Sequence, residues 1–107
     1  MERIESTILK NLIHNEEYSR KSIPFLKAEY FEDRKEKVIF EEILSFIVKY
    51  DTSITVEALN IEVDNRTDLT DDELKGIKDT TTLLKESSVD QQWLLDSTEK
   101  WCRDRAI

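Results

Sequence analysis

The 107-residue sequence contains only one glycine, one proline, one cysteine, one histidine and one methionine. A phosphate-binding loop needs a pair of glycines and a dinucleotide-binding turn needs more, so neither motif can be present. One cysteine and one histidine cannot complete a four-ligand structural zinc site. A single cysteine also cannot form an intramolecular disulfide. These shortages exclude the common nucleotide-binding loops and the disulfide-stapled scaffolds.

Long hydrophobic runs are also missing. The longest apolar runs are three residues, whereas a membrane-spanning helix needs about 20. The first fifteen residues mix charged side chains into the apolar positions and lack the hydrophobic stretch of a signal peptide. We therefore expect a cytoplasmic protein that makes no membrane contact.

Basic residues are fewer than acidic ones. The sequence has 16 Lys and Arg and 24 Asp and Glu, which gives a formal net charge of −8 and a pI near 4.7. Binding nucleic acid through its phosphates requires a basic face, so we expect no direct grip on nucleic acid. Hydrophobic residues make up 38% of the chain and charged residues 37%, a balance typical of a small folded core under a charged surface.

Helical periodicity is what the sequence does contain. It predicts an all-α fold, a compact orthogonal bundle of about six helices around a central helix at residues 33–50, in a single domain spanning residues 1–107. Asn15 and Thr55 are good N-caps for short helices. Residues 70–73 (TDDE) form a capping box, and residues 88–91 (SVDQ) are a second candidate that would open the last helix.

The central helix has one broad apolar face. Seven residues fall on an arc of about 160° when plotted at helical spacing: Ile39, Phe40, Ile43, Leu44, Phe46, Ile47 and Tyr50. Val38 and Val48 lie outside that arc, and Tyr18 precedes the turn expected at Pro24. We predict Tyr18, Val38 and Val48 as exposed residues available for protein contact.

Few residues suggest chemistry. His14 ends a predicted helix, where interaction with free carbonyls is its ordinary role. Cys102 sits in an amphipathic helix and is expected to be a buried small apolar residue. Neighbouring carboxylates diverge by 100° around a helix and do not converge on one point. Trp93 and Trp101 share one side of a helix, either as core anchors or as a protein-binding hot spot. We therefore predict no catalytic residues, no metal ligands and no cofactor-binding residues.

Several short strings, in order along the chain, resemble the N-terminal domain of DnaB-family replicative helicases. They cover a first helix, an acidic-aromatic string before the long helix, the apolar core of that helix, a capped helix entry and a basic-acidic-basic ending. These are ESTILKNLI at residues 5–13, KAEYF at 27–31, VIFEEI at 38–43, SIT at 53–55 with Leu59, and RDRAI at 103–107.

Within this family the sequence looks most like the helicases of T-even-type bacteriophages. The glycine-rich stretch of bacterial members is missing, and residues 65–72 form a polar segment in its place. The chain also has Trp93-Leu94 and a single glycine, Gly76. We therefore transfer no primase-contact residues from the bacterial members.

The resemblance implies a parent protein that is a hexameric ring helicase, moving 5′→3′ on DNA in the host cytoplasm during phage DNA replication. ATP and Mg²⁺ would bind a RecA-like C-terminal domain that is absent from this chain, so the chain alone would not be an enzyme. It would form the collar tier of the ring. Its partners would be primase, a helicase loader and the other subunits of the hexamer.

Two other functions are compatible with the residues alone. A small acidic phage protein could inhibit a host enzyme by mimicking the charge of DNA. The interspersed Lys and Arg, as in RKEK at residues 34–37, argue against such a mimic because its acids should line one surface. A helical enzyme using paired carboxylates is the third possibility, and a thermal shift on adding Mn²⁺ or Mg²⁺ would reveal it.

Overall fold

A computed structural model describes residues 3–86 and 89–106 as six α-helices and two 3-10 turns, with no strand in those residues. The helices are α1 (Ile4–His14), α2 (Glu16–Ser22), α3 (Arg34–Tyr50), α4 (Val56–Asp64), α5 (Asp71–Thr82) and α6 (Gln91–Arg105). The 3-10 turns are Ile23–Phe25, which includes Pro24, and Ala28–Tyr30. The predicted all-α fold of about six helices is confirmed.

The helices begin at capping residues. Asn15 and Thr55 accept backbone N–H bonds from the first turns of α2 and α4, as predicted. Thr70 and Glu73 form the predicted capping box at α5. The second box does not open α6, because Asp90 is its N-cap and accepts a bond from the Trp93 N–H at 2.8 Å. Ser88 lies outside the described residues.

Helix α3 is central to the packing. It contacts α1, α4, α5 and the second 3-10 turn, while α6 packs against α1 and α2. Its start at Arg34 and its end at Tyr50 match the predicted central helix. Asp51, the residue after the helix, has a left-handed backbone (φ 54°), a conformation that Asp tolerates better than most residues. Helices α1, α4 and α5 therefore cover α3 on several sides.

An aromatic cluster connects α3 with α6. Phe31, in the connection before α3, is fully buried. Its ring stacks on Phe40 of α3 at 5.1 Å and lies 5.0 Å from the ring of Trp101 on α6. Tyr30 meets Trp101 edge to face at 6.1 Å. Aromatic pairs of this kind stabilise by roughly 0.5–1.5 kcal/mol beyond the area they bury.

Two arginines, Arg66 after α4 and Arg34 at the start of α3, hold α4 and α5 against α3. Arg66, just after α4, lies 3.2 Å from Glu42 and 3.4 Å from Glu41 of α3. It also donates to Asp68, and that hydrogen bond lowers the pKa of Asp68 to about 2. Arg34 at the start of α3 donates to Glu73 at 2.6 Å. These bonds fix the 65–70 segment, which the sequence identifies only as a polar loop.

Gly76 lies where α5 passes α3. The aliphatic end of the Lys35 side chain covers it, and a Cβ added at Gly76 would come 2.7 Å from Lys35 Cε. The atoms in the way belong to the far end of a flexible side chain. The glycine therefore makes room for Lys35, which can move.

We expect Gly76→Ala to raise the free energy of unfolding by up to about 1 kcal/mol, because Ala has the higher helix propensity and Lys35 can shift. Urea unfolding of the variant measures this. The same change in a Lys35→Ala background, where nothing lies over the glycine, gives the propensity gain alone. A destabilised Gly76→Ala chain that Lys35→Ala rescues would show that Lys35 cannot move.

Candidate protein-interaction surface

The structure separates the three residues predicted for protein contact. Tyr18 is 0% exposed and Val38 is 1% exposed, so their predicted exposure is wrong. Val48 is 75% exposed, as predicted. Val38 is buried because α3 has neighbours on several sides, so that side chains outside the main apolar arc are covered too. A role for Val48 in binding a partner stays a prediction.

Tyr18 joins α2 to α6 inside the protein. Its hydroxyl lies 2.6 Å from the Thr98 hydroxyl, and its own backbone carbonyl accepts a bond from the Ser22 hydroxyl at 2.7 Å. Burial raises the pKa of Tyr18 to about 12. Tyr18 is therefore a structural residue that positions α6.

We expect Tyr18→Phe to lower the free energy of unfolding by about 1–2 kcal/mol, because the Thr98 hydroxyl would stay buried without its partner. Chemical denaturation measures the loss. Adding Thr98→Val should recover most of it, since both polar groups are then removed together. Tyr50→Phe is the matched control, with a half-exposed ring. No change in Tyr18→Phe would contradict a stabilising hydroxyl pair.

An apolar groove of about 580 Å³ lies between α6 and a second wall formed by the end of α2 and the two 3-10 turns. We call it the α2–α6 groove. Its apolar lining comes from Phe25, Tyr30, Leu95, Cys102 and Ala106. Phe25 is 65% exposed although it is a large aromatic residue. An exposed aromatic beside an apolar concavity is a typical feature of protein-binding surfaces.

Charged side chains line the rim of the α2–α6 groove. Asp96, Glu99 and Arg103 stand on α6, and Lys21 stands on α2. Lys21 is paired with Glu17 at 3.0 Å, and Asp96 accepts a bond from the Gln92 amide. Within residues 3–86 and 89–106, Glu99 and Arg103 form no ion pair. An apolar floor with a polar rim is the usual anatomy of a protein interface.

A second exposed apolar area lies at the C-terminal half of α3. Phe46 and Tyr50 pack ring to ring at 4.7 Å, and Tyr50 is half exposed. Glu62 of α4 lines the same small concavity, and Ile61 beside it is largely exposed. Val48, in the same half of α3, is also uncovered, but it lies on nearly the opposite side of the helix from Phe46 and Tyr50 and does not line this concavity. This end of α3 shares no lining residue with the α2–α6 groove.

Two candidates for chemistry have structural roles. The Nε2 of His14 donates to the Leu84 carbonyl at 2.9 Å, which ties the end of α1 to the segment after α5 rather than to α1 itself. Cys102 is buried as predicted, and burial raises the pKa of its thiol. No group of three His, Cys, Asp or Glu side chains that could hold a metal ion occurs in the part of the chain that the structure describes.

The two tryptophans have different environments. Trp101 is buried in the aromatic cluster, which confirms the core role, whereas Trp93 is 52% exposed in the first turn of α6. The Trp101 Nε1 has no hydrogen-bond partner among the described residues. The guanidinium of Arg105 lies over the Trp101 ring at 5.1 Å. Trp93 therefore adds to the exposed apolar surface and Trp101 does not.

Glu36 is a buried carboxylate at the start of α3. Only one of its oxygens is paired among the described residues, with Arg3 at 3.1 Å, and its Oε1 has no hydrogen bond. Burial raises the pKa of Glu36 above its ordinary value of 4.5, although Arg3 opposes the rise. Arg3 also lies 3.7 Å from Glu5, which pairs with Arg105 of α6 at 3.3 Å. The network joins α1, α3 and α6.

We expect Glu36→Gln to stabilise the protein at neutral pH. A raised folded-state pKa means that the native state binds the proton more tightly, so stability falls as pH rises from 4.5 through the folded-state pKa. Gln removes this loss, and its advantage should vanish below pH 4.5. Thermal unfolding between acid and neutral pH measures the difference.

Glu73→Gln is the matched control with the opposite sign. The Thr70 backbone N–H and Arg34 lower the pKa of Glu73, so its charge stabilises the fold above pH 4.5 and is lost in acid. This variant should be the less stable one at neutral pH. Glu36→Gln that is less stable than the natural chain at neutral pH would contradict a net cost of the buried charge.

Sequence reasoning did not identify Phe25 or the α2–α6 groove. The available signal was a large aromatic immediately after Pro24, in a turn where a buried helical face cannot be continued.

Among the described residues, every helix is too short or too polar to cross a bilayer.

The arrangement is that of an all-helical module whose exposed features are apolar surfaces with charged rims. No known protein-family profile matches the chain. The chain is 34% identical over 100 residues, 94% of its length, to the DnaB-like replicative helicase of Enterobacteria phage T4. The chain is therefore similar to part of a DnaB-like phage helicase, as the sequence strings indicate, and it spans 21% of the length of the T4 protein.

Proposed function

We propose that the chain is the N-terminal domain of a phage replicative DNA helicase, where it serves ring assembly and contact with other replication proteins. The similarity to the T4 helicase over 94% of the chain is the observation that carries this proposal. The parent protein would hydrolyse ATP, with Mg²⁺, in a different domain. The chain itself would supply binding surfaces and no reaction.

Primase is the partner we propose first, with a helicase loader and neighbouring subunits as further partners. The α2–α6 groove and the exposed end of α3 both present apolar side chains at the surface of the domain. Because they share no lining residue, two partners could be bound at the same time. Rim charges around such surfaces set association rate and specificity more than affinity.

A pull-down of the phage's primase and loader by the tagged 107-residue chain, at low and high salt, tests this function. Capture that persists at high salt indicates a buried apolar contact, and capture lost at high salt indicates rim electrostatics. Capture of neither protein would overturn the proposal. Capture of a basic nucleic-acid-binding host enzyme in their place would favour the charge mimic.

Val48→Lys is expected to reduce primase capture about tenfold, because a charge would replace an apolar contact residue. The fold should be unaffected, since Val48 is exposed and a cation suits the C-terminal end of α3. Surface plasmon resonance measures the loss, and thermal unfolding checks the fold. Lys at Leu83, which is also exposed and lines neither surface, adds the same charge and is the matched control. Equal loss in both variants would mean that added charge alone weakens binding.

A further inference from the structure

We propose that the concavity between α3 and α4 is a docking site for an arginine side chain of a basic partner protein. Six residues line it, and we call it the α3–α4 concavity: Glu42, Ser45, Phe46, Lys49, Tyr50 and Glu62. The proposal rests on the proposed function for its biological role, because it names the chemistry by which the exposed end of α3 would recognise a partner.

The size of the α3–α4 concavity fits the head group of one side chain. Its volume is about 70 Å³, whereas pockets for drug-sized ligands hold about 300–1,000 Å³. The α2–α6 groove, at about 580 Å³, lies within that larger range. The α3–α4 concavity is therefore too small for a helix or a large cofactor, and a single head group is the occupant that it can accommodate.

Two aromatic rings form one side of the concavity. Phe46 and Tyr50 lie one turn apart on α3, and their ring centroids are 4.7 Å apart at an interplanar angle of 47°. Tyr50 is half exposed, so part of its ring is open to a ligand. The Nζ of Lys49 already lies 5.3 Å from the centre of the Tyr50 ring. The face of an aromatic ring attracts a cation, and here it does so with a cation of the chain itself.

Two carboxylates lie beside these rings. Glu42 comes from α3 and Glu62 from α4. Arg66 pairs with Glu42 at 3.2 Å, whereas Glu62 forms no ion pair within residues 3–86 and 89–106. Burial raises the pKa of Glu42, Arg66 opposes the rise, and the negative charge of Glu62 adds to it. The two carboxylates are therefore close enough to repel each other, and a further cation beside them would relieve that repulsion.

Arginine is the side chain whose chemistry matches both the rings and the carboxylates. Its planar guanidinium stacks on aromatic rings, and its five N–H donors form a rigid fork that suits carboxylate oxygens. A lysine ammonium is a compact, strongly hydrated charge and cannot stack in this way. The net charge of −8 also attracts a basic partner over a longer range and raises its association rate.

Titration of the 107-residue chain with short peptides tests the proposal. The probe is a capped tripeptide with arginine between two glycines, and its control carries citrulline, which has the shape of arginine without the charge. NMR spectra follow the ring protons of Phe46 and Tyr50 at constant ionic strength, up to about 50 mM peptide because one side chain binds weakly. The arginine peptide should shift these signals with a dissociation constant at least about fivefold below those of the citrulline peptide and of a matching lysine peptide.

Three variants test whether the peptide binds in the α3–α4 concavity. Glu62→Gln removes a carboxylate and Tyr50→Leu removes a ring, so each should weaken arginine binding about fivefold. Lys49→Gln should instead strengthen it about threefold, because it removes the cation that competes for the Tyr50 ring. Glu57→Gln on α4 and Lys27→Gln before α3 make the same changes of charge at other exposed positions, and they should leave binding unchanged.

Thermal unfolding confirms that each variant is folded. Equal shifts from the arginine and citrulline peptides would overturn the proposal, and so would a lysine peptide that binds as tightly as the arginine peptide. Weaker binding by Lys49→Gln would also contradict it, because Lys49 would then not compete for the ring. Primase capture is measured separately, with the tagged chain. Failure of the peptide titration therefore leaves the proposed function standing, and failure of primase capture leaves arginine binding measurable.

Discussion

The burial of Phe31 between Phe40 and Trp101 is the contact on which the rest of this structure depends. Phe31 belongs to neither helix, so its ring connects α3 with α6 through a residue of the irregular segment before α3. That connection fixes α6 relative to the centre of the bundle. Only with α6 fixed can Thr98 meet the hydroxyl of Tyr18, and only then does the side of α6 opposite the core form one wall of a groove.

Polar bonds at the edges of the bundle act on the same helices from outside. Arg105 lies over Trp101 and pairs with Glu5, while Arg3 links Glu5 to Glu36 on α3. Exposed ion pairs contribute little each, about 0–1 kcal/mol, so the network is weak as a source of stability. Its buried member, Glu36, carries a desolvation cost, and the apolar contacts beneath must offset that cost. The network therefore positions the ends of α1, α3 and α6 relative to one another, and it adds little to the free energy of unfolding.

The sequence predicts the structure correctly where the interaction that decides it is between near neighbours in the chain. Asn15, Thr55 and the Thr70–Glu73 box are read from neighbours three residues away, and the structure places helix starts at each. The predicted exposure of Tyr18 and Val38 is wrong because burial depends on elements distant in the chain. Helix α6 covers Tyr18, and the helices around α3 cover Val38. The groove was missed for the same reason, since its two walls are far apart in the chain. The surface at Val48 was predictable because one helix face decides its exposure.

The acidic composition has a different meaning once the contacts are known. A net charge of −8 indicates a uniformly acidic protein, yet much of the charge is held in local pairs such as Glu16–Arg20, Asp64–Lys78 and Asp104–Lys100. What distinguishes one part of the surface from another is therefore the apolar side chains that no helix covers. Two such places are the groove beside Phe25 and the end of α3, while Leu83 and Trp93 are exposed outside both. Because the groove and the concavity at the end of α3 share no lining residue, such a domain can contact different proteins at the two places.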